Sequence, residues 1–224
     1  VRTYGNIGTW AVPDTANMSA AIAFGNSMAE ALAIPVGLLD YAASSYPIST
    51  WVPVSGATNR AFTNAVAALD GKVEAAIWIQ GEGDADTSRT QAQYYADLGT
   101  LFADWRSQFS QAALPIILAT LGTATSGLYT DAEAQAIIDA QIQKCADANH
   151  YRVDRRDLPL LDTVHPTAAG FATLGARVAH VAKYLAEAAS YYRGPSIASA
   201  TSGTSTTIDV ALTHRGGTDI TPSS

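Results

Sequence analysis

Glu74-Ala75-Ala76-Ile77-Trp78-Ile79-Gln80-Gly81-Glu82-Gly83-Asp84 decides how this chain folds. Its first half is a short apolar run, β-branched and aromatic at Ile77, Trp78 and Ile79, which fits a strand buried on both faces of a parallel sheet. At Gln80 the run stops, and an amide, two glycines and two carboxylates fill five positions. Loops of that composition leave the carboxyl ends of strands, where α/β proteins bind ligands. The plainer alternative is that Gly81 and Gly83 shape a turn while Glu82 and Asp84 cap the next helix.

Working outward, strands and helices alternate. Met18, Ile22, Gly25, Ala29 and Leu32 recur at spacings that line one helical face, and Val36 to Asp40 reads as a short buried strand. Residues 42–53 then form the loop at its carboxyl end, with Ser44, Ser45, Ser49 and Trp51. Phe62, Val66 and Leu69 mark a second helix ending near Gly71. Beyond the central stretch, Tyr94, Leu98, Leu101, Trp105 and Phe109 give a strong helical stripe, and Pro115 to Leu121 a strand. Ala134, Ile138, Ile142 and Cys145 share a helix face, Tyr151 to Val153 is a strand, and Phe171, Leu174, Val178, Val181 and Leu185 form a long final helix. This order predicts a three-layer α/β/α domain around a parallel sheet, of flavodoxin-like type, over residues 1–193. Residues 1–17, rich in Gly, Thr, Pro and Asn, read as loop. From Gly194 Ser, Thr and Gly dominate, and Thr207 to Leu212 alternates with period two, so 194–224 reads as a linker and the start of a β-rich module. About two strands are too few to stand alone.

The 224 residues are enough for one sizeable core. A net charge of −7, with no Lys/Arg cluster, argues against a nucleic-acid surface and favours neutral or weakly charged substrates. No apolar run approaches the roughly 20 residues of a membrane span. The single Cys145 can form no disulfide within the chain, and the spacing of His, Asp and Glu suggests no metal site.

A second chemical stretch, Leu161-Asp162-Thr163-Val164-His165-Pro166, precedes the last helix. Asp and His three apart in a tight turn can set the carboxylate against Nδ1 of the imidazole, fixing its tautomer and leaving Nε2 free to take a proton. Pro166 suits the first helical position, where a missing N–H is no loss. Taken alone, such a pair can equally be the opening of a helix. His150, His180 and His214 have no carboxylate at useful spacing.

Together these stretches resemble a known family. Trp78 to Asp84 is similar to the W-x-Q-G-E-x-D motif of the sialate O-acetylesterase-like branch of the SGNH hydrolases, and Asp162 to His165 is similar to their D-x-x-H block. Phe24-Gly25, Pro35 to Leu39 and Ile48 to Pro53 extend the resemblance over roughly residues 10–190. It implies a parallel sheet of about five strands between helices and hydrolysis of O-acyl esters, usually acetyl groups on sugars, with no cofactor. By the same resemblance His165 is the general base, Asp162 its orienter and the amide of Gln80 an oxyanion donor, a role often worth roughly 2.7–4 kcal/mol. Glu82 braces the loop or binds substrate, as does Asp84. Ser44, Ser45 and Gly81 form the oxyanion and substrate loop, and Trp51 or Tyr46 offers a stacking surface for an O-acylated glycan.

The chain departs from the family in two places. The family's nucleophile is a serine in a G-x-S-N-like block after the first strand, and no such block occurs here; by resemblance residue 1 falls after that strand. Where the family has oxyanion glycines, this chain has Ser44 and Ser45. A sheet lacking the first strand would leave the strand at Val36 to Asp40 with orphaned backbone groups, each costing about 1–3 kcal/mol. The expectation is therefore that the polypeptide extends upstream, or that a separate segment supplies strand and nucleophile. Ser45 is the best internal nucleophile, although it lacks the G-x-S-x-G elbow. Two other readings stay open: a degenerate relative that binds glycans without cleaving them, and a structural part of a larger, oligomeric extracellular, cell-surface or virion assembly.

Overall fold

The computed structural model describes residues 2–4, 10–11, 19–42, 45–52, 57–67, 73–123, 127–186, 196–202 and 208–213. Three parallel strands, β4 (Ala76–Ile79), β5 (Ile116–Ala119) and β6 (His150–Val153), lie side by side in that order. β5 is buried at all four residues, as a continuous apolar run should be when both sheet faces are covered. Its side chains alternate: Ile116 and Leu118 enter one core with Ala76 and Trp78 of β4, while Ile117 and Ala119 enter another with Val153 of β6.

Helices cover both faces. On the first are α2 (Ala57–Ala67), α4 (Gln91–Gln108) and α5 (Asp131–Lys144). Tyr94, Leu98, Leu101, Trp105 and Phe109 are all buried there, so the stripe read from their spacing is the inner face of α4. Asn59 of α2 locks the layer by accepting a hydrogen bond from the Trp105 indole at 2.8 Å and donating to Asp104 at 2.7 Å. On the second face α1 (Ala20–Leu32) packs against α6 (Ala168–Leu185). The two helices approach so closely at Gly175 that a Cβ there would collide with the Ala20 carbonyl oxygen.

Several expectations are corrected. Residues 1–17 are not all loop: β1 (Arg2–Tyr4) and β2 (Trp10–Ala11) are strands, and β1 runs parallel beside β3 (Gly37–Leu39). The strand expected to carry an orphaned edge thus has a partner within the chain. In place of one parallel sheet of about five strands, the described residues form two three-stranded sheets, β2-β1-β3 and β4-β5-β6, with β4 at the edge of the second. In α1 the buried residues are Ala20, Gly25 and Met28, a face rotated from the expected one. In α5 the expected Ala134, Ile138, Ile142 and Cys145 do enter or pack against the first core, and Ile137 and Gln141 are buried as well. Leu69 and Gly71 lie outside the described residues, and α2 ends at Ala67. At the carboxyl end, β7 (Ser196–Ser202) and β8 (Ile208–Thr213) form a separate antiparallel pair. Among the described residues, no helix is long and apolar enough to cross a membrane.

Gly175 supplies a direct test of the helical layer. Gly175→Ala should destabilise the protein by roughly 1–3 kcal/mol, the range for overpacking a close contact, read as a lower urea midpoint with an unchanged slope. An unaltered midpoint would mean that α1 and α6 do not touch there.

Candidate active site at the strand ends

The carboxyl ends of β4, β5 and β6 meet at Gln80, Thr120 and Asp154-Arg155, the first residues past each strand. Gln80 is held on every side. Its amide nitrogen donates to the Tyr46 carbonyl at 3.1 Å and to Asp84 Oδ2 at 2.6 Å, and its amide oxygen accepts the Tyr94 hydroxyl at 2.8 Å. Two acceptors beside the nitrogen and one donor beside the oxygen fix which way the amide points. Its backbone carbonyl accepts Gln141 Nε2 at 2.8 Å, and Gln141 Oε1 accepts the Leu121 N–H at 2.6 Å. The Trp78 indole donates to the same Tyr94 hydroxyl at 3.3 Å. Burial holds the Tyr94 phenol well above its ordinary range, so it stays protonated and able to donate.

Gly81 turns the chain at φ 153°, a conformation L side chains rarely adopt, and a Cβ there would press on Ile137 at 3.0 Å. α3 (Glu82–Asp86) follows at once. A Cβ on Gly83 would stand 3.2 Å from the Pro47 nitrogen, so glycine lets the loop after β3 lie against α3. Asp84 then fastens that loop, its Oδ2 accepting the Ile48 N–H at 2.8 Å. Asp84 is fully buried. Burial pushes its pKa up, against the opposing hydrogen bonds from Gln80 and Ile48 and the charge of Arg89, whose Nε lies 3.7 Å from Oδ1.

Glu82 pairs with Arg155, whose Nε also donates to the Thr120 carbonyl at 2.7 Å. Burial alone would raise the Glu82 pKa, but the charge and hydrogen bond of Arg155, with smaller help from its own backbone and from His165, leave it lowered. His165 thus lies within electrostatic reach of the Gln80-Gly81-Glu82 turn. It sits on a short closed loop. The Leu161 N–H donates to the His165 carbonyl and the Thr167 N–H to the Pro159 carbonyl, both at 2.8 Å, pinning its two arms together. At the tip Asp162 Oδ2 is 2.8 Å from His165 Nδ1, and Oδ1 accepts the backbone N–H groups of His165 at 2.8 Å and Val164 at 2.9 Å. Those three hydrogen bonds hold the Asp162 carboxyl down at about 2. The imidazole is 68% exposed, so its other nitrogen faces solvent.

The expected site residues divide. Gln80, Gly81 and Glu82 follow directly on the carboxyl end of β4, and Asp162 and His165 pair with each other on the loop before α6. Asp84 and Trp51 are both buried: Asp84 fully, and Trp51 in the core, edge-on to Trp78 at a centroid distance of 5.2 Å. The side-chain amide of Gln80 spends both hydrogens on Tyr46 and Asp84, so it has none left for an oxyanion. Pro166 is not the first helical residue: Thr167 caps α6, its hydroxyl accepting the Gly170 N–H at 3.1 Å. Ser44 lies outside the described residues. Ser45 is exposed at φ 60°, the left-handed backbone for which glycine is best suited. Among the described residues, no group of three or more His, Cys, Asp or Glu could hold a metal ion.

Tyr94, Gln141 and Arg155 were not legible as site residues. Tyr94 sits in an apolar stripe, Gln141 on an unremarkable helix turn and Arg155 in a charge run, Asp154-Arg155-Arg156-Asp157, that reads as solvated surface. The only hint is position, since that run follows directly on a strand.

Comparison with known proteins agrees with this architecture. No curated protein matches the sequence. Among solved structures, a protein from Arabidopsis thaliana superposes with a TM-score of 0.69 at 20% identity, over 84% of this chain and 81% of the other. A carbohydrate acetylesterase from Xanthomonas citri superposes equally well, at 0.69 and 18% identity, over 87% of this chain but only 48% of that longer one. At such identities the likeness is one of fold. Residues 6–184 match the family model described as carbohydrate esterase, sialic acid-specific acetylesterase. With the strand-end turn and the Asp162-His165 pair inside the matched region, the chain belongs to the sialic acid-specific acetylesterase family of carbohydrate esterases, an SGNH-like α/β group acting on acylated carbohydrate.

Proposed function

We propose that residues 1–193 are the greater part of a domain that removes O-acetyl groups from a glycan by serine, histidine and aspartate chemistry, and that 194–224 begin a β-rich module. The observation that supports the reading best is the 2.8 Å contact between His165 Nδ1 and Asp162. A serine hydroxyl, supplied from upstream of residue 1, attacks the acyl carbonyl carbon while its proton passes to Nε2 of His165. The tetrahedral intermediate then expels the sugar oxygen, which takes that proton. Water repeats the sequence on the acyl-enzyme, releasing acetate and restoring the serine.

In this scheme Asp162 orients the imidazole and stabilises its charged form. With the Gln80 amide committed elsewhere, the backbone N–H groups of the Ser44-Ser45 loop and Gly81 take the oxyanion role. Gln80 becomes the brace that holds those segments in place. Two observations favour other readings. The engaged Gln80 amide suits a glycan binder that does not cleave, and the left-handed backbone of Ser45, at φ 60°, suits a nucleophile on a sharp turn.

The full-length polypeptide should hydrolyse p-nitrophenyl acetate and O-acetylated sialic acid, and His165→Ala should lower kcat by roughly 1,000-fold or more. Turnover that survives His165→Ala would contradict the mechanism; glycan binding without turnover supports the non-cleaving reading. Ser45→Ala should leave kcat within about threefold, and a loss as deep as that of His165→Ala would make Ser45 the nucleophile.

The low pKa of Asp162 carries its own expectation. A carboxyl depressed in the folded state stabilises above its unfolded value and loses that contribution as pH falls through about 2. The Val164 and His165 amides should therefore keep their hydrogen-exchange protection at pH 3.5. Loss of protection already between pH 5 and pH 4 would show that the carboxylate is not held as described.

A further inference from the structure

A cleft of about 610 Å³ lies between β6 and α6. β6 ends its sheet among the described residues, so one side of it has no neighbouring strand. On the other side the carbonyls of Asn149 and Val153 accept the N–H groups of Ile116 and Thr120, both at 2.9 Å. The alternation of a parallel ladder then turns the N–H and carbonyl of Arg152 away from β5, towards the open edge. Arg177 of α6 reaches that same edge two residues further on, donating to the Asp154 carbonyl at 2.7 Å.

The charges lining the cleft do not balance. Arg177 donates to both oxygens of Asp157 at 2.6 Å, and Arg156 Nη2 donates to Asp154 Oδ2 at 2.6 Å. Arg152 is exposed and, among the described residues, makes no hydrogen bond or ion pair. Its charge reaches Asp154, where burial works to raise the pKa but the hydrogen bonds and charge of Arg156, with a smaller part from Arg152, leave it lowered. One guanidinium on the cleft is therefore in excess. An arginine on an edge strand also discourages pairing with a further strand. That role asks nothing of its surroundings, whereas these are the surroundings of a small-molecule site. Val153, Ala176 and Val181 give an aliphatic wall, and the Asp154 and Asp157 carboxylates and the exposed His180 ring supply a few polar groups.

We propose that this cleft binds an acidic sugar, with its carboxylate on the Arg152 guanidinium, its hydroxyls donating to Asp154 and Asp157, and the apolar face of its ring on the aliphatic wall. One unpaired guanidinium matches one carboxylate, in the planar two-bonded geometry that arginine favours. Phosphate, with up to two charges, would be repelled by the two aspartates, and a neutral sugar would leave the guanidinium unmatched. Binding here does not depend on whether the strand-end turn hydrolyses esters.

The test is a titration of the isotope-labelled full-length protein followed by amide NMR, with N-acetylneuraminic acid, its methyl ester and inorganic phosphate as probes. The acid should move the Arg152, Thr173 and His180 signals saturably. The methyl ester with wild type, and the acid with Arg152→Met, should each bind roughly tenfold more weakly, the loss expected of one charge-assisted contact. Arg152→Met keeps the stem of an exposed side chain, and the ester reads the same contact without any substitution. Equal affinity for acid and ester, or for wild type and Arg152→Met, overturns the proposal, as does phosphate binding as tightly as the sugar. So does an acid that moves no signal, or only those of Gln80 to Glu82 and His165, which would put the sugar at the strand-end turn instead.

Discussion

The backbone carbonyl and side-chain amide of Gln80 are the point through which the strand ends are assembled. Four segments converge on this residue: the loop after β3 through Tyr46, α3 through Asp84, α4 through Tyr94 and α5 through Gln141. The contacts with Asp84, Tyr94 and Gln141 are part-buried, where leaving one partner unpaired costs about 1–3 kcal/mol, whereas the one to Tyr46 is exposed. The network is nearly closed, since Tyr94 also takes the Trp78 indole and Gln141 also holds the Leu121 N–H. Closed polar networks of this kind select one arrangement of the elements that contribute to them.

Gly81 makes that convergence sterically feasible, and Arg155 extends it across the sheet. The glycine bends the chain out of β4 while α5 packs against it, which puts Glu82 in reach of Arg155. From Arg155 the chain runs through a turn anchored by Arg177 to a loop closed by Pro159 and Thr167, with Asp162 and His165 at its tip. Strand ends thus hold the Gln80 turn and a short pinned loop holds the Asp162-His165 pair, an arrangement suited to fixing distances without large motion.

How much of this was legible in the sequence depended on the range of the interaction. The inner face of α4 was legible because five large apolar residues repeat at helical spacing, and β4 and β5 because their apolar runs end abruptly. The Asp162-His165 contact was legible because both partners lie within one turn. Contacts between distant segments were not. Asp84 and Trp51 stand among residues typical of sugar sites, yet Asp84 is buried with its Oδ2 bound to Ile48 and Gln80, and Trp51 packs on Tyr41, Phe62 and Trp78. β1 spans three residues inside a glycine-rich stretch, too short for a period to show. On α5 the apolar face was legible, but Gln141 was not, being polar in sequence and turning inward to meet Gln80 and Leu121.

The account stands on the claim that His165 and the Gln80-Gly81-Glu82 turn share one end of the sheet. A crystal structure of the full-length protein tests this most directly. It should show the His165 imidazole bound to Asp162 and facing the strand ends where Glu82 pairs with Arg155. An imidazole turned away from that pair, or a Glu82 carboxylate bonded elsewhere, would contradict it.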